Sequence, residues 1–99
     1  MNRNEAVAKL KDYADAIKAR GATSLYLFGS AVRDEAKADS DLDLFIDYDP
    51  ETKIPNMFQL MKIEEEISAA LGIAVTITTR NALHPLMKDT IERQAVRVT

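Results

Sequence analysis

There is no cysteine in the 99-residue chain, which excludes a disulfide framework, a thiol nucleophile and a cysteine-ligated zinc site. Histidine occurs once, as His84. One imidazole without a visible partner makes no catalytic pair, and its place before Pro85 predicts a capping or loop role. No apolar run approaches the roughly 20 residues of a membrane-spanning helix. The polar start MNRNEAVAKLKD lacks the apolar segment of a secretory signal. Positive charge is not in excess: the net charge is −3, so no basic face is expected for general nucleic-acid binding. Any phosphate must then be met locally, by a metal or a few placed donors. No repeat, low-complexity tract or linker interrupts the chain. These absences leave one cytoplasmic domain over residues 1–99, with no membrane and no direct nucleic-acid contact expected. Its 46% apolar and 29% charged residues suit a packed core rather than disorder.

What is present has clear periodicity. From about Asn4 to Arg20, Val7, Leu10, Ala14 and Ile17 recur at steps of three and four, predicting a helix with one buried stripe that stops at Gly21. TSLYLF (Thr23–Phe28) reads as a buried strand. LDLFIDY (Leu42–Tyr48) alternates, with Leu42, Leu44 and Ile46 on one face and Asp41, Asp43, Phe45 and Asp47 on the other. Between Pro55 and Leu71, Leu60, Ile63, Ile67 and Leu71 mark a second amphipathic helix, stopped by Gly72. IAVTIT (Ile73–Thr78) is a third strand. His84-Pro85 opens a last helix, with Leu86, Met87 and Ile91 expected to face inward. The fold class is therefore α/β (α+β): a small sheet with helices packed mainly against one face. The glutamates of KIEEEI (Lys62–Ile67) read as a solvated helix face, and Met57–Met61 as packing, with a partner surface as the alternative.

The chemistry concentrates between Phe28 and Asp43. Asp41 and Asp43 leave the same face of one strand, about 6.5–7 Å apart at their α-carbons. Two such carboxylates repel unless a cation lies between them. Magnesium suits that place, because it takes carboxylate oxygens and completes its shell with water and substrate phosphates. Gly29 lets the backbone approach a phosphate, Ser30 offers a hydroxyl and following amides, and Arg33 supplies a forked donor one turn on. A lone Gly-Ser is usually a turn and a lone Asp-x-Asp a solvated edge. The four residues at this spacing would nonetheless meet by chance in only on the order of one in a thousand chains of this size.

Gly29-Ser30, ten residues and then Asp41-Leu42-Asp43 resembles the signature of the nucleotidyltransferase superfamily that includes DNA polymerase beta. The stretch FGSAVRDEAKADSDLDLFIDYDP is similar to its small members, the minimal nucleotidyltransferases, and VTITTRNALHPLMKDTIERQAV resembles their C-terminal segment. The resemblance implies a nucleotidyltransferase fold with a small mixed β-sheet. Gly29 and Ser30 would bind ATP, and Asp41 and Asp43 would be catalytic and hold magnesium. It also implies a partner, since such proteins often pair as antitoxin with a helical HEPN toxin, and some transfer AMP to a toxin tyrosine. Three positions depart from the pattern. The family's third carboxylate corresponds to Thr76, an often basic position to Ala31, and a frequent glycine to Asp34. Asp47, on the face of Asp43 but two alternating steps further along the strand, is a candidate replacement for the third ligand. The expectation is thus a protein adenylyltransferase acting on a HEPN-type toxin with Mg-ATP. The alternative is a catalytically weak or inactive nucleotide-binding antitoxin that works by direct binding.

Overall fold

A computed structural model describes residues 3–29, 32, 41–51 and 55–99 of the chain. The elements run α1 (Arg3–Ala19), β1 (Ala22–Phe28), β2 (Leu42–Tyr48), α2 (Met57–Leu71), β3 (Val75–Thr79), a 3-10 turn (Arg80–Ala82), α3 (Lys88–Gln94) and β4 (Val96–Arg97). The strands form one mixed sheet in the order β3-β2-β1-β4, with β1 antiparallel to both its neighbours and β2 parallel to β3. The parallel pair requires a crossover, and α2 provides it.

The strand alternation sorts the sheet into two faces. Leu25, Leu27, Leu42, Leu44, Ile46, Val75 and Ile77 are buried against the stripes of α1 (Ala6, Leu10, Ile17) and α2 (Leu60, Ile63, Ile67). Fully burying a side chain of this size contributes about 1.5–3 kcal/mol, so this layer holds the fold. The second helix is punctuated as its sequence suggests. The Asn56 Oδ1 accepts from the Phe58 N–H at 2.8 Å and caps α2, while Gly72, at φ +74°, ends it in the left-handed conformation. At the end of β2, Asp49 Oδ1 accepts from the Glu51 N–H at 2.9 Å and turns the chain away.

The β3 edge is closed by α2. The Val75 N–H donates to Ser68 Oγ at 2.9 Å, and the Ile77 N–H donates to Glu64 Oε1 at 2.7 Å. Alternate amides of an edge strand point away from the sheet. Two side chains one helical turn apart take both and cover an edge that another strand could otherwise join.

Three expectations change. α3 begins at Lys88, not at Pro85; Leu86 and Met87 precede it and are 88% and 57% exposed rather than turned inward. The His84 Nδ1 accepts from the Leu86 N–H at 3.2 Å, which makes the segment a side-chain-closed turn. Met57 and Met61 are 57% and 52% exposed, so they are not core packing: the buried stripe of α2 passes through Leu60, Ile63 and Ile67. Among the described residues, no helix is long and apolar enough to cross a membrane.

Candidate active site

The face of the sheet opposite α1 and α2 carries the polar constellation. Register places Phe28 beside Asp43 and Asp43 beside Thr76, in one row across β1, β2 and β3. The next row holds Tyr26, Phe45 and Thr78. Phe45 is fully buried on this polar side because Tyr26 stacks on it at 4.9 Å between ring centroids and Phe28 leans on it at 5.6 Å.

Gly29 closes the end of β1 directly against Asp43. Its φ is +80°, and a β-carbon built on it would lie 2.6 Å from Asp43 Oδ2. The position therefore requires glycine twice over, once for the backbone and once for the carboxylate packed beside it. The Val32 N–H donates to Gly29 O at 3.2 Å, and Val32 is buried in the core. Ser30, Ala31, Arg33 and Asp34 lie outside the described residues. The two halves of the sequence motif meet at one place: Gly29 from β1 and Asp43 from β2.

Asp43 is half-buried, while Asp41, just before the strand, is exposed. Burial, and after it the Asp41 charge, push the Asp43 carboxyl above its ordinary range. Such a pair favours a cation, and its donors are hard oxygens of the kind magnesium takes. Two carboxylates suffice for an ion carried in with a nucleotide, because phosphate and water oxygens fill the rest of its shell. The third position is neutral. Thr76, exposed and in register with Asp43, has a hydroxyl where a carboxylate would complete a three-acid site. No cluster of three acidic, His or Cys side chains able to hold a metal exists among the described residues.

Asp47 does not replace the third acid. Arg80, just beyond β3, donates from Nε to Asp47 Oδ1 at 2.6 Å and from NH2 to Oδ2 at 3.0 Å. Both carboxylate oxygens are thereby engaged in a forked pair. The guanidinium also lies over the rings of Phe45 and Tyr26, 4.9 and 5.1 Å from their centroids, and its NH1 lies 3.5 Å from Glu92 of α3. Sequence reasoning did not pick out Arg80, yet the signal was there. Thr76, Thr78 and Arg80 alternate onto the face of Asp43, and the β2–β3 register sets Arg80 opposite Asp47.

Between this face and α3 runs a cleft of about 240 Å³, lined by Phe28, Gly29, Asp43, Met87, Thr90, Ile91 and Gln94. Of the two paired carboxylates, Asp43 lines it.

Residues 9–98 match the family model described as a nucleotidyltransferase domain. The chain belongs to the nucleotidyltransferase domain family. Among curated relatives, the protein adenylyltransferase MntA of Thermococcus cleftensis is 35% identical over 78 residues, 79% of this chain and 76% of that protein. MJ0435 of Methanocaldococcus jannaschii, named as a candidate protein adenylyltransferase, is 34% identical over 99% of both chains. A solved structure of a candidate minimal nucleotidyltransferase superposes with TM-score 0.77 at 26% identity, covering 97% of this chain and 95% of that one. A toxin–antitoxin structure with AMP-PNP shares the fold, with TM-score 0.70 at 16% identity over 100% of this chain and 73% of that one. The described face of this nucleotidyltransferase carries Gly29 packed against Asp43, with the neutral Thr76 in the row of Asp43.

Proposed function

We propose that this nucleotidyltransferase binds Mg-ATP on the Gly29 and Asp43 end of the sheet and transfers AMP to a hydroxyl, expected to be a tyrosine, of a HEPN-type toxin. It would act there as a cytoplasmic antitoxin. The observation that carries the reading is the packing of Gly29 against Asp43, which joins the phosphate-approach turn to the carboxylate strand. The names of the curated relatives support protein adenylylation. The toxin–antitoxin complex with AMP-PNP supports a toxin as partner and an adenine nucleotide as substrate.

In this reading Asp41 and Asp43 hold magnesium, Gly29 admits the phosphates close to the backbone, and Ser30 and Arg33 contact their oxygens. When bound, magnesium would offset phosphate charge as the bond to the leaving group lengthens. The acceptor hydroxyl oxygen forms a bond to the α-phosphorus, the α–β bridging bond breaks, and pyrophosphate departs. The hydroxyl proton passes to solvent, because Thr76 is no base at neutral pH.

Thr76 supports a second reading, in which the chain keeps nucleotide binding and neutralises its partner by direct contact. Co-expression with a HEPN-type toxin, taken from a neighbouring reading frame where one is found, followed by mass spectrometry of the intact toxin, separates the two. Added AMP mass that disappears when Asp41 and Asp43 are both changed to Asn supports transfer. A stable complex with an unmodified toxin supports contact alone. Neither a complex nor a modification would overturn both.

A further inference from the structure

The segment Met87–Gln94 sets Met87, Thr90, Ile91 and Gln94 at the i, i+3, i+4, i+7 spacing of one helical face. In a small domain such a face is normally packed down on a sheet. Here α3 buries none of its side chains fully, and the face looks across the 240 Å³ cleft at Phe28, Gly29 and Asp43. The reason lies beside it. The Arg80 guanidinium, stacked on Phe45 and Tyr26 and forked onto Asp47, reaches α3 through Glu92. Lys88 of the same helix adds a 3.9 Å contact to Glu92. The helix rests on a propped, charged side chain and stays lifted from the sheet.

We infer that the gap is a preformed slot for the base of the bound nucleotide, with Thr90 and Gln94 as the residues that read its edge. This rests on the nucleotide reading above and adds the part of the substrate that the carboxylate site does not touch. The size fits. At about 30 Å³ per water, the cleft holds on the order of eight water volumes, below the roughly 300–1,000 Å³ of drug-sized pockets. It suits one planar ring system rather than a whole nucleoside triphosphate. The walls fit as well. Phe28 gives an aromatic surface, Met87 and Ile91 give apolar contact opposite, and Thr90 and Gln94 add a hydroxyl and an amide that both donate and accept. The position fits too: Asp43 lines the slot, so phosphates held beside it would leave the base inside. A tyrosine from an acceptor is the weaker occupant. The base, by contrast, is tethered to the phosphates held at Asp43 and needs no second molecule to enter the slot.

The test compares ATP with inorganic tripolyphosphate, each with magnesium, by calorimetry on the full chain. Ile91→Trp fills the slot, and Gln94→Leu with Thr90→Val removes the polar readers without adding bulk; thermal melts establish that each variant is folded. Ile91→Trp should weaken ATP at least about tenfold while tripolyphosphate changes by less than about twofold. The double variant should shift the ratio of ATP to GTP affinity several-fold. ATP affinity unchanged in Ile91→Trp, or ATP and tripolyphosphate weakened equally, overturns the slot while leaving the carboxylate site standing. The slot is likewise overturned if ATP binding survives Ile91→Trp and only transfer to the acceptor is lost, which would assign the cleft to the acceptor side chain. An unchanged ATP-to-GTP ratio in the folded double variant removes Thr90 and Gln94 as readers. Wild type that binds neither ligand in a magnesium-dependent way overturns the nucleotide reading, and the slot falls with it.

Discussion

Replacing Gly29 by alanine tests the claim that the two halves of the motif are pressed together by packing. Two costs arise. At φ +80°, a residue with a β-carbon is disfavoured by about 1–2 kcal/mol. That β-carbon would also lie 2.6 Å from Asp43 Oδ2, so the carboxylate or the turn must shift, and forced overpacking of this kind costs about 1–3 kcal/mol. Gly29→Ala should therefore lose about 2–5 kcal/mol in urea unfolding. At about 4–8 °C per kcal/mol for a domain of this size, the melting temperature should fall by at least about 8 °C. The partner variant Asp43→Ala removes the oxygen that is struck and leaves the backbone term in place. The double variant should thus lie about 1–3 kcal/mol above the sum of the two singles, a coupling well outside the scatter of independent sites. Gly29→Ala within about 0.5 kcal/mol of wild type would refute the contact. A strictly additive double variant would leave the backbone argument alone and remove Asp43 from it.

The carboxylate pair, the sheet edge and the third ligand position each give a further expected outcome. Burial raises Asp43 above its unfolded value, so the charged form opposes folding at pH above the folded pKa, and the penalty fades as pH falls through that range towards the unfolded value. Asp43→Asn should accordingly stabilise the metal-free protein at neutral pH and lose that advantage in acid. Urea melts in chelator at pH 7 and pH 4 check both parts, and a less stable variant at pH 7 would contradict the assignment. Glu64→Ala strands the Ile77 N–H at the β3 edge and should cost about 1–3 kcal/mol, whereas Glu64→Gln keeps an acceptor and should recover most of it. Equal melting temperatures for the two variants would show that the bond does not hold the edge. Thr76→Asp should speed AMP transfer at least about tenfold, a drop of roughly 1.4 kcal/mol in the barrier. Single-turnover transfer to the co-expressed toxin reads it, and a fast wild type with no gain would show the third ligand to lie elsewhere.

Much of this was legible because the signals were local. The face of β2 that carries Leu42, Leu44 and Ile46 follows from strict alternation, and the α2 stripe through Leu60, Ile63 and Ile67 follows from helical spacing. Even the shared face of Thr76 and Asp43 follows from alternation once β3 lies beside β2. What was misread or not foreseen involves contacts that no short window contains. Leu86 and Met87 are apolar and precede a helix, but α3 is propped by Arg80 and leaves them exposed. Phe45 shares a face with two aspartates, yet it is buried because Tyr26, Phe28 and Arg80 come from other elements to cover it. Asp47 stayed a candidate ligand only while Arg80 was unplaced. Charge pairing across a sheet is decided by register, and register is a tertiary property.

The separation of faces explains how a carboxylate position can become threonine without harm to the fold. Stability resides in the apolar layer between α1, α2 and the sheet, where Leu25, Leu27, Leu44, Ile46, Ile63 and Ile67 are fully buried. Thr76 projects from the other side, is exposed, and shares its row with Asp43. A carboxylate there would set a third like charge beside one whose ionisation burial already opposes. Without metal, threonine is therefore the more stable choice; in the proposed reaction, with metal and nucleotide bound, the carboxylate would be the more reactive one. The two requirements oppose each other at a single residue. A chain that has only to hold nucleotide and partner gains by threonine, and a chain that must turn over quickly loses by it. The Thr76→Asp variant should thus be less stable than wild type in chelator and gain more from magnesium and ATP together. That crossing of two stability orders would arise from the carboxylate site itself, whether or not any acceptor is present.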